Sequence, residues 1–195
     1  AAPGVCHRSP MVDAPRPARR RRLPSDDEIL DAVVADLLAH GPLDWSLREA
    51  GTRIGVSARM LVHRFGSREE LIGLAFDRLH EQHATAWLAA SGSFELAALV
   101  APDHRPVIRF MVQVGALALR HGGPYLRLWT AMLDDWVERV AALLVDAGFA
   151  DEEARLRARS FVDAVRGVQF AVALSGDDGF GVDAVHLLPD RLFSR

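Results

Sequence analysis

The sequence contains no lysine, and all 23 of its basic residues are arginine. Codon bias is the simpler account of that total, so only arginines at particular positions carry an argument about recognition chemistry. Cysteine is nearly absent. Cys6 stands alone in a proline-rich leader, which excludes an internal disulfide and leaves a cysteine-based metal site without ligands. No run of about 18 apolar residues occurs, so no membrane span is expected, and the first 24 residues lack the apolar stretch of a secretory signal. A soluble, cytoplasmic protein is expected. Also missing are a sustained period-two apolar pattern, paired carboxylates, a nucleophile elbow, a P-loop and a dinucleotide fingerprint. The first absence removes β-rich folds, and the others leave nothing to support an enzyme or a cofactor.

What is present is enough apolar material, 50% of 195 residues, to bury a sizeable core. A net charge of −3 gives no global sign of a polyanionic partner, so any such surface must be local. Residues 73–195 carry 12 arginines against 16 acids, whereas residues 16–24 carry five arginines and no acid. Residues 1–24 combine five prolines with Arg19, Arg20, Arg21 and Arg22, a composition too poor in apolar surface to order itself. This segment reads as a flexible basic arm.

Beyond Pro24 the punctuation is helical. Ser25/Glu28, Ser46/Glu49 and Ser67/Glu70 each form a Ser-x-x-Glu capping box, able to satisfy orphan amides at three successive helix starts. Apolar spacing and Gly/Pro breaks predict helices over about 26–40, 47–54, 58–64, 68–90, 94–100, 105–121, 125–147, 151–174 and 182–188. The expected fold is all-α with about nine helices, in which 25–72 form one unit and 73–195 a second.

The stretch 47–69, LREAGTRIGVSARMLVHRFGSRE, carries the plan of a helix-turn-helix. Leu47, Ala50, Ile54, Val56, Leu61 and Phe65 supply the inner face, and Gly55 permits the tight reversal. Ser57 caps the second short helix, whose leading residues Ala58, Arg59 and Met60 would face base edges of DNA. Arg59 has the fork that matches guanine O6 and N7. His63, Arg64 and Arg68, further along, are expected to reach phosphates. The alternative is a helical hairpin inside a bundle, its arginines on a solvated face.

Gly55-Val56-Ser57, Leu61 and the run from His63 through Phe65-Gly66-Ser67-Arg68 to Leu71, preceded by Ser46-Leu47-Arg48-Glu49, resemble the N-terminal domain of TetR-type transcriptional regulators. The resemblance covers residues 26–75. It implies a homodimer that binds double-stranded operator DNA and responds to a small-molecule effector, with Ser46 also near the DNA. Two positions depart from the family pattern: Val62 replaces a phosphate-binding tyrosine, and Met60 replaces a small polar residue. Gly51 stands where alanine is usual, at a cost of up to about 1 kcal/mol of helix stability. Without the tyrosine, affinity leans on His63, Arg64, Arg68 and the arginine arm, which can enter an adjacent minor groove or serve only as a solubilising tail.

In the second unit the resemblance implies effector binding and dimerisation. Leu144, Phe161, Val165, Val168 and Val172 form a stripe on the two long helices that either meets a second copy or belongs to the core. His80, His83 and Trp87 share one helix face; with Arg109, Met111, Gln113, Trp129, Met132 and Trp136 they make candidate pocket residues, which spacing cannot separate from ordinary packing. His80-x-x-His83 with Asp77 lacks a converging ligand, so no metal is expected. The combined expectation is a ligand-responsive regulator, a repressor released from its operator by a small molecule. Its rivals are a DNA-binding regulator without an effector, which predicts a solidly packed second unit, and an α-helical enzyme or interaction module with a coincidental motif.

Overall fold

The computed structural model describes residues 24–89 and 96–193, so the arginine arm at Arg19 to Arg22 lies outside the described residues. Among the described residues there are eight α-helices, two short 3-10 helices and no strand. The helices are α1 (Asp26–His40), α2 (Leu47–Ile54), α3 (Ala58–Phe65), α4 (Arg68–Ala89), α5 (Arg105–His121), α6 (Gly123–Asp146), α7 (Asp151–Ser175) and α8 (Asp178–Leu192). The all-α expectation holds. The segment read as a helix over 94–100 is a 3-10 helix from Leu96 to Val100, and a second one spans Pro102–His104.

Local chemistry sets the helix starts. Ser25 Oγ accepts from the Glu28 amide at 3.1 Å while the Glu28 carboxylate accepts from the Ser25 amide at 2.7 Å, a complete capping box. Ser67 and Glu70 repeat the exchange at 3.1 and 2.6 Å. At α2 only the Ser46 half forms, at 3.3 Å. The last helix is longer than the expected 182–188 because Asp177, directly after the left-handed Gly176, accepts from the Phe180 amide at 3.0 Å and starts the helix early.

One core runs through the described chain. Phe76 and Phe110, both almost fully buried, meet at 6.3 Å between ring centres and join α4 to α5. α7 lies between α6 and α8 and also touches α5, and α1 packs on α2, α4 and α5. The short helices α2 and α3 close on each other through Gly51, where an added Cβ would stand 2.7 Å from the Val56 carbonyl oxygen. Glycine at this position therefore permits a backbone approach that a methyl group would obstruct.

Candidate DNA interface and ligand cavity

α3 turns one face inward and one outward. Leu61 is fully buried, whereas Arg59, Val62 and His63, at i, i+3 and i+4, are exposed on one face. Ser57 Oγ accepts from the Met60 amide at 3.1 Å and fixes the leading turn, leaving Ala58 and Met60 half-buried. No acid lies on α3, and the Arg59 and Arg48 side chains make no ion pair or hydrogen bond among the described residues. Ser46 caps α2 and is itself half-buried. The outward face is thus cationic, half apolar at Val62, and free to meet an anionic surface.

Two of the expected phosphate contacts are otherwise occupied. Arg64 donates to the Pro24 carbonyl at 2.7 Å and pairs with Asp26 at 3.1 Å, which fastens α3 to the start of α1. Arg68 donates to the carbonyls of Pro42, of Leu43 at 3.1 Å and of Trp45 at 2.6 Å, and to the Tyr125 hydroxyl at 3.1 Å. Against the expectation that Arg68 reaches the DNA backbone, its donors tie the α1–α2 loop to the first turn of α6. Of the three, His63 alone keeps a side chain without a partner among the described residues.

The α1–α2 junction is organised by a group that the sequence did not single out. Asp36 is buried and accepts from Trp45 Nε1 at 2.7 Å and from Arg53 Nε and Nη2 at 2.6 and 2.8 Å. Burial pushes its carboxyl up. The Arg53 and Trp45 hydrogen bonds and the Arg53 charge outweigh that and hold it below the usual carboxylate range.

Deeper in the fold, α4, α5, α6 and α7 surround a cavity with the 3-10 helices at its edge. His80, His83, Met111 and Trp136 line it, four of the nine expected pocket residues. Met132 is buried just behind, its sulfur 3.0 Å from Arg166 Nη2. Trp87 lies on α4, its side chain outside the described residues. Three expectations are corrected. Arg109 and Gln113 face a separate cleft between α1 and α5, because α5 turns that side toward His40 and Gly41. Trp129 instead packs over Gly115, where α5 and α6 approach each other.

The dimer stripe is also corrected. Phe161 and Val165 line the cavity, and Leu144 and Val172 are buried within the protomer. The reason is α8, which covers this side of α7: Phe193 meets Phe161 at 4.9 Å between ring centres, and Gly181 sits against Val172. Val168 is half-buried. The large apolar groups left in the open on α7 are Leu156, Phe170 and Leu174, on the opposite face.

Three cavity residues went unnoticed in the sequence: His104, Arg166 and Gln169. Gln169 donates to the Leu99 carbonyl at 2.9 Å and accepts from Arg166 at 2.8 Å. His80 meets Asp135 at 2.7 Å, and His83 bonds the Leu79 carbonyl at 2.6 Å. His104 stacks edge-on against His83 at 4.6 Å, and its ring makes no hydrogen bond with a described residue. Burial pushes its imidazole down to about 4, with the neighbouring His83 and Arg166 adding to the effect and Asp103 opposing it.

A neutral, half-buried His104 has a measurable consequence. As pH falls from about 6.5 to about 4 the unfolded chain takes up a proton that the folded chain refuses, so stability is lost across that window by roughly 2–3 kcal/mol. Urea denaturation at pH 7 and pH 5 should show the loss in the wild type and a smaller one in His104→Gln. Equal losses would refute the assignment.

Among the described residues no three histidines, cysteines or acids are placed to hold a metal ion, and no helix is long and apolar enough to cross a membrane. The sequence matches no protein-family profile and no curated protein. Solved structures do match. A transcriptional regulator from Rhodococcus sp. RHA1 superposes with a TM-score of 0.70 at 19% identity, over 87% of this chain and 96% of its own. GusR of Salmonella enterica gives 0.68 at 18%, over 85% and 94%, and a TetR transcriptional regulator from Legionella pneumophila gives 0.65 at 15%, over 88% and 100%. At such identities the likeness is one of fold.

Proposed function

We propose, from the premise that this chain has the fold of TetR-family transcriptional regulators, that it is a homodimeric, ligand-responsive DNA-binding regulator, and specifically a repressor released from its operator by a small molecule. The observation that carries the reading is the outward face of α3. It presents Arg59, Val62 and His63 without a neighbouring acid on the helix that the fold devotes to the major groove. Arg59 would read guanine, His63 would meet phosphate, and the Val62 side chain offers apolar contact of the kind that suits a thymine methyl. Arg19 to Arg22 would add contacts to the phosphate backbone and the minor groove.

A second copy would double these contacts across half-sites about 34 Å apart. The exposed Leu156, Phe170 and Leu174 on α7 are better candidates for that interface than the enclosed stripe first expected. Effector in the cavity would favour a dimer whose α3 helices no longer match successive grooves, with a coupling of about 1–3 kcal/mol. The cavity itself weighs against a regulator without an effector, whose second unit would be packed solid.

Selection from a random-sequence duplex library, followed by binding at fixed salt, tests the reading. The wild type should enrich one two-fold symmetric sequence. Arg59→Ala should lose about 1–3 kcal/mol of preference for it while retaining weak binding to unrelated duplex. Failure to enrich any sequence would overturn the proposal.

A further inference from the structure

We infer that the cavity takes a small organic monocarboxylate, its carboxylate on the Arg166 guanidinium and its short apolar body against the aliphatic wall. This deepens the regulator reading and rests on it for the ligand's effect at the DNA. The binding itself can be tested alone.

Arg166 stands in the cavity wall without the carboxylate partner that many of the other arginines have. Arg53, Arg78, Arg139, Arg155, Arg157 and Arg159 each face a carboxylate within 4 Å. Arg166 reaches only the Gln169 amide oxygen at 2.8 Å and the Met132 sulfur at 3.0 Å, both uncharged. No acid lines the cavity. Arg166 is half-buried, and a guanidinium with restricted access to water and no counter-charge is costly. Burial draws Arg166 down to about 10, which still leaves it charged at neutral pH. The missing partner is an anion.

The other polar groups on the wall narrow its class. His80 is met by Asp135, His83 bonds a backbone carbonyl, and His104 is neutral at pH 7 with a ring nitrogen able to donate. One firm positive charge with the neutral His104 beside it suits a monoanion. A phosphate dianion would be left half-compensated. The planar fork of Arg166 matches the two oxygens of a carboxylate. Leu99, Val107, Ile108, Val140 and Val165 make the remaining wall apolar. The cavity has a volume of about 60 Å³. That is room for roughly four to six water-sized groups, the size of a short-chain acid.

Calorimetric titration of the full chain with sodium butanoate, butanamide, sodium benzoate and inorganic phosphate tests the inference. Butanoate should bind roughly 10- to 100-fold more tightly than butanamide, its neutral counterpart, and phosphate should not compete. Arg166→Met should remove the preference for acid over amide. It should also keep the helical circular dichroism and a Tm no lower than the wild type, because an uncompensated buried charge has been removed. The inference is overturned if butanamide equals butanoate, if phosphate displaces both, if neither carboxylate binds, or if Arg166→Met keeps the acid preference. Should that variant misfold, the acid–amide comparison on the wild type decides. Duplex binding in the absence of acid reports separately on the regulator reading: butanoate binding without duplex binding would leave the anion site standing and remove the repressor.

Discussion

Replacing Asp36 by alanine is expected to lower the unfolding free energy by about 3–5 kcal/mol, read from urea denaturation at pH 7. Three donors converge on this one carboxylate, from Trp45 and twice from Arg53. Its removal strands a buried indole N–H and leaves the Arg53 guanidinium facing a vacated site. The cost of such stranded groups, more than the net worth of the ion pair, makes the effect large. Asp36→Asn separates the two contributions, since an amide oxygen can still accept from Trp45 while the charge facing Arg53 is gone. The carboxyl sits below its ordinary value of 3.8, so its stabilisation is complete above that pH and is lost as pH falls through the lower folded-state value. The gap between wild type and Asp36→Asn should therefore narrow below about pH 4. A loss under about 1 kcal/mol in Asp36→Ala would show that the network contributes little.

Asp36 also marks where sequence reasoning stops. Ser25, Ser46, Ser57 and Ser67 were readable because a cap and the amide it serves lie within three residues of each other. Asp36 meets partners 9 and 17 residues away, and although it follows the buried Ile29 by two turns of α1, helical spacing says nothing of which donors converge on it. The same limit explains α7. Its apolar stripe was legible, but periodicity identifies a face and not what covers it; the occupant is α8, which the Asp177 cap makes longer than the sequence suggested. Arg166 and His104 were hidden for related reasons. One is a single charge between apolar neighbours on α7, and the other lies in a proline-flanked break that reads as a connector. The helix-turn-helix, by contrast, is local throughout, and its elements stand where its caps and glycines put them.

Arg68→Ala is expected to lower stability by at least about 1.5–3 kcal/mol and to leave the salt dependence of duplex binding unchanged. Both halves follow from where the guanidinium is spent. The carbonyls of Pro42, Leu43 and Trp45 belong to the loop that carries α2, and the Tyr125 hydroxyl belongs to the first turn of α6, the helix that supplies Trp136 to the cavity wall. Arg68 is thus a single side chain joining the helix-turn-helix to a helix that borders the cavity. Without it, the loop carbonyls lose a charged donor, and a shift of α6 has one connection fewer through which to move α2 and α3. In the variant, a ligand that releases the wild type from its selected duplex should produce a smaller change in affinity, measured at fixed salt. Had Arg68 bound phosphate instead, its loss would reduce the slope of log affinity against log salt by about 0.9 and spare the fold. A reduced slope with unchanged urea denaturation would therefore return Arg68 to the DNA and take away the tie between the α1–α2 loop and α6.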